Sequence, residues 1–138
     1  MNLKQLLDSS PFHRLIGLKF IDSADDVVKI GLSYKPQLDG SDSGVNIHGG
    51  VIATLADVSA CFAMMNKTGG DAPNINLEVH YTRMAAAGDE LVATAKTVKV
   101  GRTLGICDVE IHNQNGKLIA VGRSTLANAA PAREKLTK

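Results

Sequence analysis

His48-Gly49-Gly50-Val51-Ile52-Ala53-Thr54-Leu55-Ala56-Asp57-Val58-Ser59-Ala60-Cys61-Phe62-Ala63-Met64-Met65-Asn66 is the stretch from which the rest of the chain is read. No proline interrupts residues 50–66, and after Gly50 no glycine does, so they read as one helix. Val51, Ile52, Leu55, Val58, Phe62, Met64 and Met65 make it apolar almost all round. Such a helix is buried on most sides. Ala53, Ala56, Ala60 and Ala63 add a stripe of small side chains along which another surface can approach closely.

The flanks say what buries it. Upstream, residues 18–23 form one candidate strand and 27–34 a better one, where Val28, Ile30, Leu32 and Tyr34 alternate with Lys29, Gly31 and Ser33. Downstream, residues 74–82 alternate Ile75, Leu77, Val79 and Tyr81 with polar neighbours. Residues 90–100, 103–112 and 117–127 read as three more strands, the last two joined by the hairpin signal Asn115-Gly116. The order is two strands, a helix, then four strands in hairpin succession. That is an α+β arrangement, an antiparallel sheet with one helix packed on it. Residues 1–16 add a short helical segment, broken at Asp8-Ser9-Ser10-Pro11, with Ser10 as cap and Pro11 in the first turn of a second helix. Residues 129–138 read as a fraying tail.

The chain has 138 residues, which predicts a single domain over 1–138. It is 44% hydrophobic and 21% charged, with a formal charge of +1. That balance argues against a nucleic-acid protein working through bulk charge. Three Phe, two Tyr and no Trp leave few stacking platforms for single strands. Cys61 and Cys107 form neither a disulfide scaffold nor a CxxC motif, and the histidines show no metal-ligand spacing, so no metal is expected. Residues 1–8 hold no apolar run of signal-peptide length. The apolar stretch 51–65 contains Asp57 and is shorter than the ~20 residues of a membrane span. The expectation is a soluble cytoplasmic protein with no membrane partner.

Two features carry candidate chemistry. Asp57 interrupts the apolar helix, and its helical neighbours Ala53, Thr54, Ala60 and Cys61 are small, so its carboxylate is either solvated, structurally paired, or open to a ligand. His48-Gly49-Gly50 sits at the helix start. There the first N–H groups lack helical partners and the dipole is positive, which suits an oxyanion hole; the alternative is glycine serving an awkward turn. Gly50 and Asp57 lie seven residues apart, on one face and ~10 Å along the axis. One carbonyl does not easily touch both. An antiparallel twofold dimer, with Asp57 of one helix facing Gly49 of the other, removes the difficulty.

These residues resemble a known family. His48-Gly49-Gly50 with Asp57 is similar to the HGG-x6-D signature of the PaaI-like (phenylacetic-acid degradation type) acyl-CoA thioesterases of the hotdog superfamily. Leu77 through Arg83, Gly88-Asp89, Val100-Gly101-Arg102-Thr103 and Asn115-Gly116 resemble its later strands and turns. The resemblance spans about residues 17–127. It implies a hotdog fold, a long helix wrapped by a curved antiparallel sheet, assembled as a homodimer or homotetramer. It implies hydrolysis of an acyl-CoA thioester, coenzyme A being part of the substrate and no separate cofactor being needed. Asp57 is then general base or nucleophile, the N–H of Gly49 or Gly50 polarises the carbonyl, and His48 positions loop or substrate. Arg102 and Thr103 match where relatives hold the nucleotide, with Arg83 a weaker candidate.

Two positions depart from the pattern. Asp42 stands where many members have Asn, with Asn46 nearer the motif, and Asn74 stands where a Ser or Thr is common. Asn46, Asp42 and Asn74 are therefore substrate-site candidates with altered chemistry. The rival readings are a non-catalytic acyl-CoA binding module and a hotdog hydratase or dehydratase.

Overall fold

The computed structural model describes residues 1–130. Helix α1 spans Leu3–Ser9, and Asn2 caps it by accepting from the Gln5 N–H. Helix α2, Pro11–Ile16, starts with Ser10 accepting from the His13 N–H and Pro11 in the first turn. Gly17, at φ 83, closes α2 by donating to the His13 carbonyl; only glycine takes that left-handed conformation without strain. Strands β1 (Leu18–Ser23) and β2 (Val27–Ser33) follow, then a short 3-10 turn at Pro36–Leu38. Helix α3 is Gly49–Thr68, and β3 (Asn74–Tyr81), β4 (Glu90–Val100), β5 (Leu104–His112) and β6 (Leu118–Ala127) complete the chain.

The six strands form one antiparallel sheet in the order β1-β2-β4-β5-β6-β3. This corrects the hairpin succession. β4, β5 and β6 are consecutive hairpins, but β3 pairs with β6, Asn74 opposite Leu126 and Tyr81 opposite Ala120. Residues 82–89 do not close a tight turn. They run along the segment before α3, where Ile47 N–H donates to Ala85 O and Ala87 N–H donates to Val45 O. β4 is then delivered to β2. β3 thus becomes a sheet edge, and its apolar face is covered only at its middle: Leu77 and Val79 pack against the core, while Ile75 is 61% exposed and Tyr81 54%.

α3 lies across one face of the sheet with Leu55, Ala60, Ala63 and Met64 wholly buried. They meet Val28, Ile30, Leu32, Ala93, Val109 and Ile111 in one continuous core. Each large member contributes ~1.5–3 kcal/mol by leaving water. The alanine stripe serves the sheet. At Gly122 of β6 an added Cβ would stand 3.7 Å from the Ala56 Cβ. α3 is longer than the apolar stretch suggested, 20 residues, and by length and composition it meets the requirement for crossing a membrane. More than half of it is buried inside the protein, packed as a core helix. The tail is held through its first two residues: Ala129 N–H donates to Asp71 O and Ala130 is buried. Residues 131–138, the remainder of the expected tail, lie outside the described residues.

Gly105 shows how tightly helix and sheet meet. A Cβ there would fall 2.5 Å from the Met64 Cε and 2.6 Å from the Lys99 carbonyl oxygen. The methionine tip can yield; the backbone cannot. Gly105→Ala is expected to cost ~1–3 kcal/mol of stability, read from the midpoint of urea unfolding at constant slope; an unchanged midpoint would show that the contact relaxes freely.

Candidate functional site

The segment before α3 is folded, not loose. Asp39 accepts from the Tyr34 hydroxyl at 3.0 Å and from the Ser41 N–H at 2.7 Å. Its carboxyl is held below the usual range, chiefly by its hydrogen bond from the Ser41 side chain. Gly40 N–H donates to Asn46 O, and His48 N–H to Leu38 O. A Cβ on Gly40 would come within 2.9 Å of the His48 Cα, so glycine permits this close crossing. Asn46 is half-buried here and its amide donates to Ile47 O. Asp42 is exposed at the outside of the turn.

At the helix start the unpaired N–H groups are divided unequally. His48 is the N-cap, and its Nδ1 accepts from the Gly50 N–H at 2.8 Å. That bond assigns the ring proton to Nε2 in the neutral form. The His48 carbonyl takes the N–H groups of Val51 and Ile52 at 3.0 and 3.3 Å. Gly49 is left: among the described residues its N–H has no acceptor. Of the two candidate oxyanion donors, Gly50 is already engaged and Gly49 is available. Tyr81, from the end of β3, donates its hydroxyl to Gly49 O at 2.8 Å.

Asp57 lies eight residues further, ~12 Å along the axis. It is half-buried and its carboxyl accepts no hydrogen bond from the described residues. Burial pushes its pKa up, while the nearby His13 imidazole pulls the other way. Asn74, at the start of β3, donates to the Asp57 main-chain oxygen at 3.4 Å and to Ser124 Oγ at 2.8 Å. Ser124 is wholly buried and donates to Asn76 O. One edge strand therefore holds both ends of the site: Tyr81 against Gly49, Asn74 against Asp57.

A groove of about 400 Å³ opens beside Gly49, lined also by Tyr81, Thr82, Arg83 and Met84. Arg83 is thus brought to the helix start. Arg102 and Thr103 are not. They are exposed at the β4–β5 turn, and the adjoining Gly105 packs on Met64, fifteen residues or ~22 Å along α3 from Gly49. The Cys61 thiol, one turn past Asp57, is pushed up to about 12, mainly by burial, and is no nucleophile at neutral pH. Sequence reasoning missed Tyr81, Ser124 and His13 as members of the site. Each is set by a pairing between distant segments, and only the position of Tyr81 at the end of a strict alternation gave any signal.

The profile of the thioesterase superfamily matches residues 44–120, the span that holds both candidate groups. The human acyl-coenzyme A thioesterase 13 is 32% identical over 126 residues, 89% of this chain and 89% of that protein. The acyl-coenzyme A thioesterase PaaI of Escherichia coli is 28% identical over 123 residues, 88% of this chain and 85% of that one. The crystal structure of zebra fish thioesterase superfamily member 2 superposes with a TM-score of 0.78 at 32% identity, covering 91% of this chain and 92% of that one. The fold is a hotdog, and the chain belongs to the thioesterase superfamily. The family read from His48-Gly49-Gly50 and Asp57 is borne out.

The raised pKa of Asp57 has a consequence for stability. Burial makes the native carboxyl hold its proton more tightly than the unfolded chain does, so the ionised form costs stability at neutral pH. The cost disappears once pH falls below the ordinary value of 3.8, where both states are protonated. Asp57→Asn is therefore expected to unfold at higher urea than the parent at neutral pH, and the gap should close on acidification. A gap constant with pH would mean that the carboxylate is not desolvated.

Proposed function

We propose that the protein hydrolyses acyl-CoA thioesters at sites shared between two copies of the chain. The observation that carries this reading is the pairing of an available Gly49 N–H with a half-buried, unbonded Asp57 carboxylate at opposite ends of one exposed edge strand. The two named relatives, acyl-coenzyme A thioesterases of human and E. coli, support the substrate class.

β3 supplies the geometry for sharing. It runs from Asn74 to Tyr81 with one edge unpaired. A second copy added antiparallel about the midpoint between Leu77 and Glu78 lays Asn74 opposite the partner's Tyr81. The ~12 Å that separates Gly49 from Asp57 within a chain is then bypassed, because each Asp57 meets the partner's Gly49. The pairing also covers the unpaired edge and its exposed apolar side chains. A homodimer, or a dimer of such dimers, is the proposed assembly.

In the reaction, the Gly49 N–H donates to the thioester carbonyl oxygen as negative charge develops there. His48 keeps the turn in place through its bond to Gly50. Asp57 either takes the proton of a water that attacks the carbonyl carbon, or attacks that carbon itself. In the first route the tetrahedral intermediate expels coenzyme A as thiolate. In the second, an acyl-aspartyl anhydride forms with loss of the thiolate, and water then cleaves it. Asn74, with its amide nitrogen engaged, offers Oδ1 to a water beside Asp57. Arg83 is positioned for the phosphate side of coenzyme A, while Arg102 and Thr103 contribute only across an assembly. Asp42, exposed on the turn, is assigned to the outer wall of the substrate entrance and Asn46 to its inner wall. Hydrolysis requires no cofactor beyond the coenzyme A of the substrate. We place the reaction in the cytoplasm, consistent with two free cysteines.

Thiol release from aryl- and alkyl-CoA esters tests the reading. Asp57→Ala should lose at least ~100-fold in kcat/KM, equivalent to ~2.7 kcal/mol of transition-state stabilisation. Gly49→Pro removes the free N–H while keeping the helix, because proline suits the first helical position and His48, at ψ 135, already has the extended conformation proline demands before it. It should lose ~100- to 1,000-fold in kcat with folding intact. Subunits of the two variants, mixed at random, should regain roughly a quarter of parental activity, since half the dimers carry one intact site of two. No recovery would place both groups in one chain's site. Binding of acyl-CoA without turnover by the parent would make the protein a binding module instead.

A further inference from the structure

Helix α2 carries Phe12 and Leu15 outward, 51% and 69% exposed, and neither belongs to the core. They are not simply solvated. Together with Ile16, Leu38, Val51 and His48 they line a groove of about 520 Å³ between α2 and the first turns of α3. That volume is within the ~300–1,000 Å³ of small-molecule sites. The groove shares its end wall, His48 and Gly50, with the turn that presents the Gly49 N–H. It lies on the opposite side of the helix start from the groove of Tyr81, Arg83 and Met84.

We propose that this groove holds the acyl chain, and that Phe12 and Leu15 set which chain lengths are accepted. The proposal rests on the thioesterase reading and goes beyond it by naming the acyl class, an unsubstituted aliphatic chain, and the element that selects it. Three observations carry it. Three of the four polar side chains in the lining, with Gln37 the exception, are engaged with backbone: Thr54 Oγ1 donates to Gly50 O, Lys35 Nζ donates to Leu15 O, and His48 Nδ1 accepts from the Gly50 N–H. Within the groove this leaves mainly hydrocarbon surface, which suits methylenes and would leave a hydroxylated ring poorly matched. The two grooves also differ in how their cations are engaged. Lys35, in the first, is bonded to Leu15 O, whereas the Arg83 guanidinium in the other has no partner among the described residues, so the phosphate-bearing arm is drawn to Arg83 and the acyl group is left facing Phe12. Finally, α2 is fixed as a wall and not left as a loose arm. Ser10 caps it, Gly17 closes it, and His13 is held by Leu7 O at 2.9 Å and packs edge-on to Phe62. Phe12 and Leu15 also lie outside residues 44–120, the span matched by the superfamily profile.

The test is the dependence of kcat/KM on acyl length, from acetyl-CoA to dodecanoyl-CoA, in the parent, Phe12→Ala, Leu15→Ala and the double variant. Each methylene that enters the groove should raise kcat/KM about fourfold, the equivalent of ~0.8 kcal/mol, until the groove is full. The double variant should lower the ratio of long- to short-chain kcat/KM by about tenfold or more. Leu15→Trp should move the optimum to shorter chains. Val98→Ala, an exposed apolar position on β4 away from the groove, should leave the ratio as it was. A ratio unchanged by the double variant and an optimum unmoved by Leu15→Trp would overturn the proposal. Calorimetric binding of dodecanoyl-CoA against coenzyme A alone separates this from failure of the thioesterase reading. If the parent hydrolyses nothing, that reading fails. The groove assignment then stands if the parent binds dodecanoyl-CoA more tightly than coenzyme A and the double variant abolishes the difference, and falls otherwise.

Discussion

The first turn of α3 has more N–H groups than it has acceptors, and the site follows from how they are shared out. A helix start leaves its first N–H groups without partners. Here one residue, His48, satisfies three of them, Gly50 through its ring and Val51 and Ile52 through its carbonyl. The remaining N–H, on Gly49, is not buried under a side chain, because Gly49 has none. The positive end of the helix dipole lies at the same point. A Cβ here would stand 3.4 Å from the Tyr81 ring, an ordinary contact, so glycine serves access to the N–H rather than packing.

Tyr81 links this local arrangement to the sheet. Its hydroxyl fixes Gly49 O, and its backbone pairs with Ala120 of β6. Seven residues earlier on the same strand, Asn74 fixes the turn of α3 that carries Asp57. A displacement of β3 would therefore move both functional ends of the helix together. An exposed strand edge invites pairing with other chains. The chain retains one at the place where the site runs along it, which is intelligible if the pairing partner is a second copy.

The sequence disclosed the local parts of this arrangement well. Asn115-Gly116 and the alternation in 74–82 identified strands, and Ser10-Pro11 identified the start of α2, because each depends on neighbouring residues alone. The order of strands was less legible. Nothing in 74–82 or 90–100 records that residues 82–89 would bond to 45–47 and carry the chain across to β2. The site divides the same way. His48, Gly49 and Asp57 stood out because their types conflict with an apolar helix. The engagement of Gly50 by His48, the support of Asn74 by buried Ser124, and the separation of Arg102 from Gly49 depend on side-chain reach and sheet register, which spacing along the chain does not contain.

Asp57 shows what the core tolerates for the sake of the site. A half-buried carboxylate without a hydrogen bond opposes folding at neutral pH. The helix bears it because Leu55, Ala60, Ala63 and Met64 are wholly buried and α3 is anchored across the sheet from β2 to β6. A hydrogen-bond donor beside Asp57 would lower its pKa and occupy its oxygens. The same helix is thus well packed along most of its length and unsatisfied at the Asp57 carboxylate. Phe12 and Leu15 of α2 likewise add nothing to the core, and they line the groove beside His48 and Gly50.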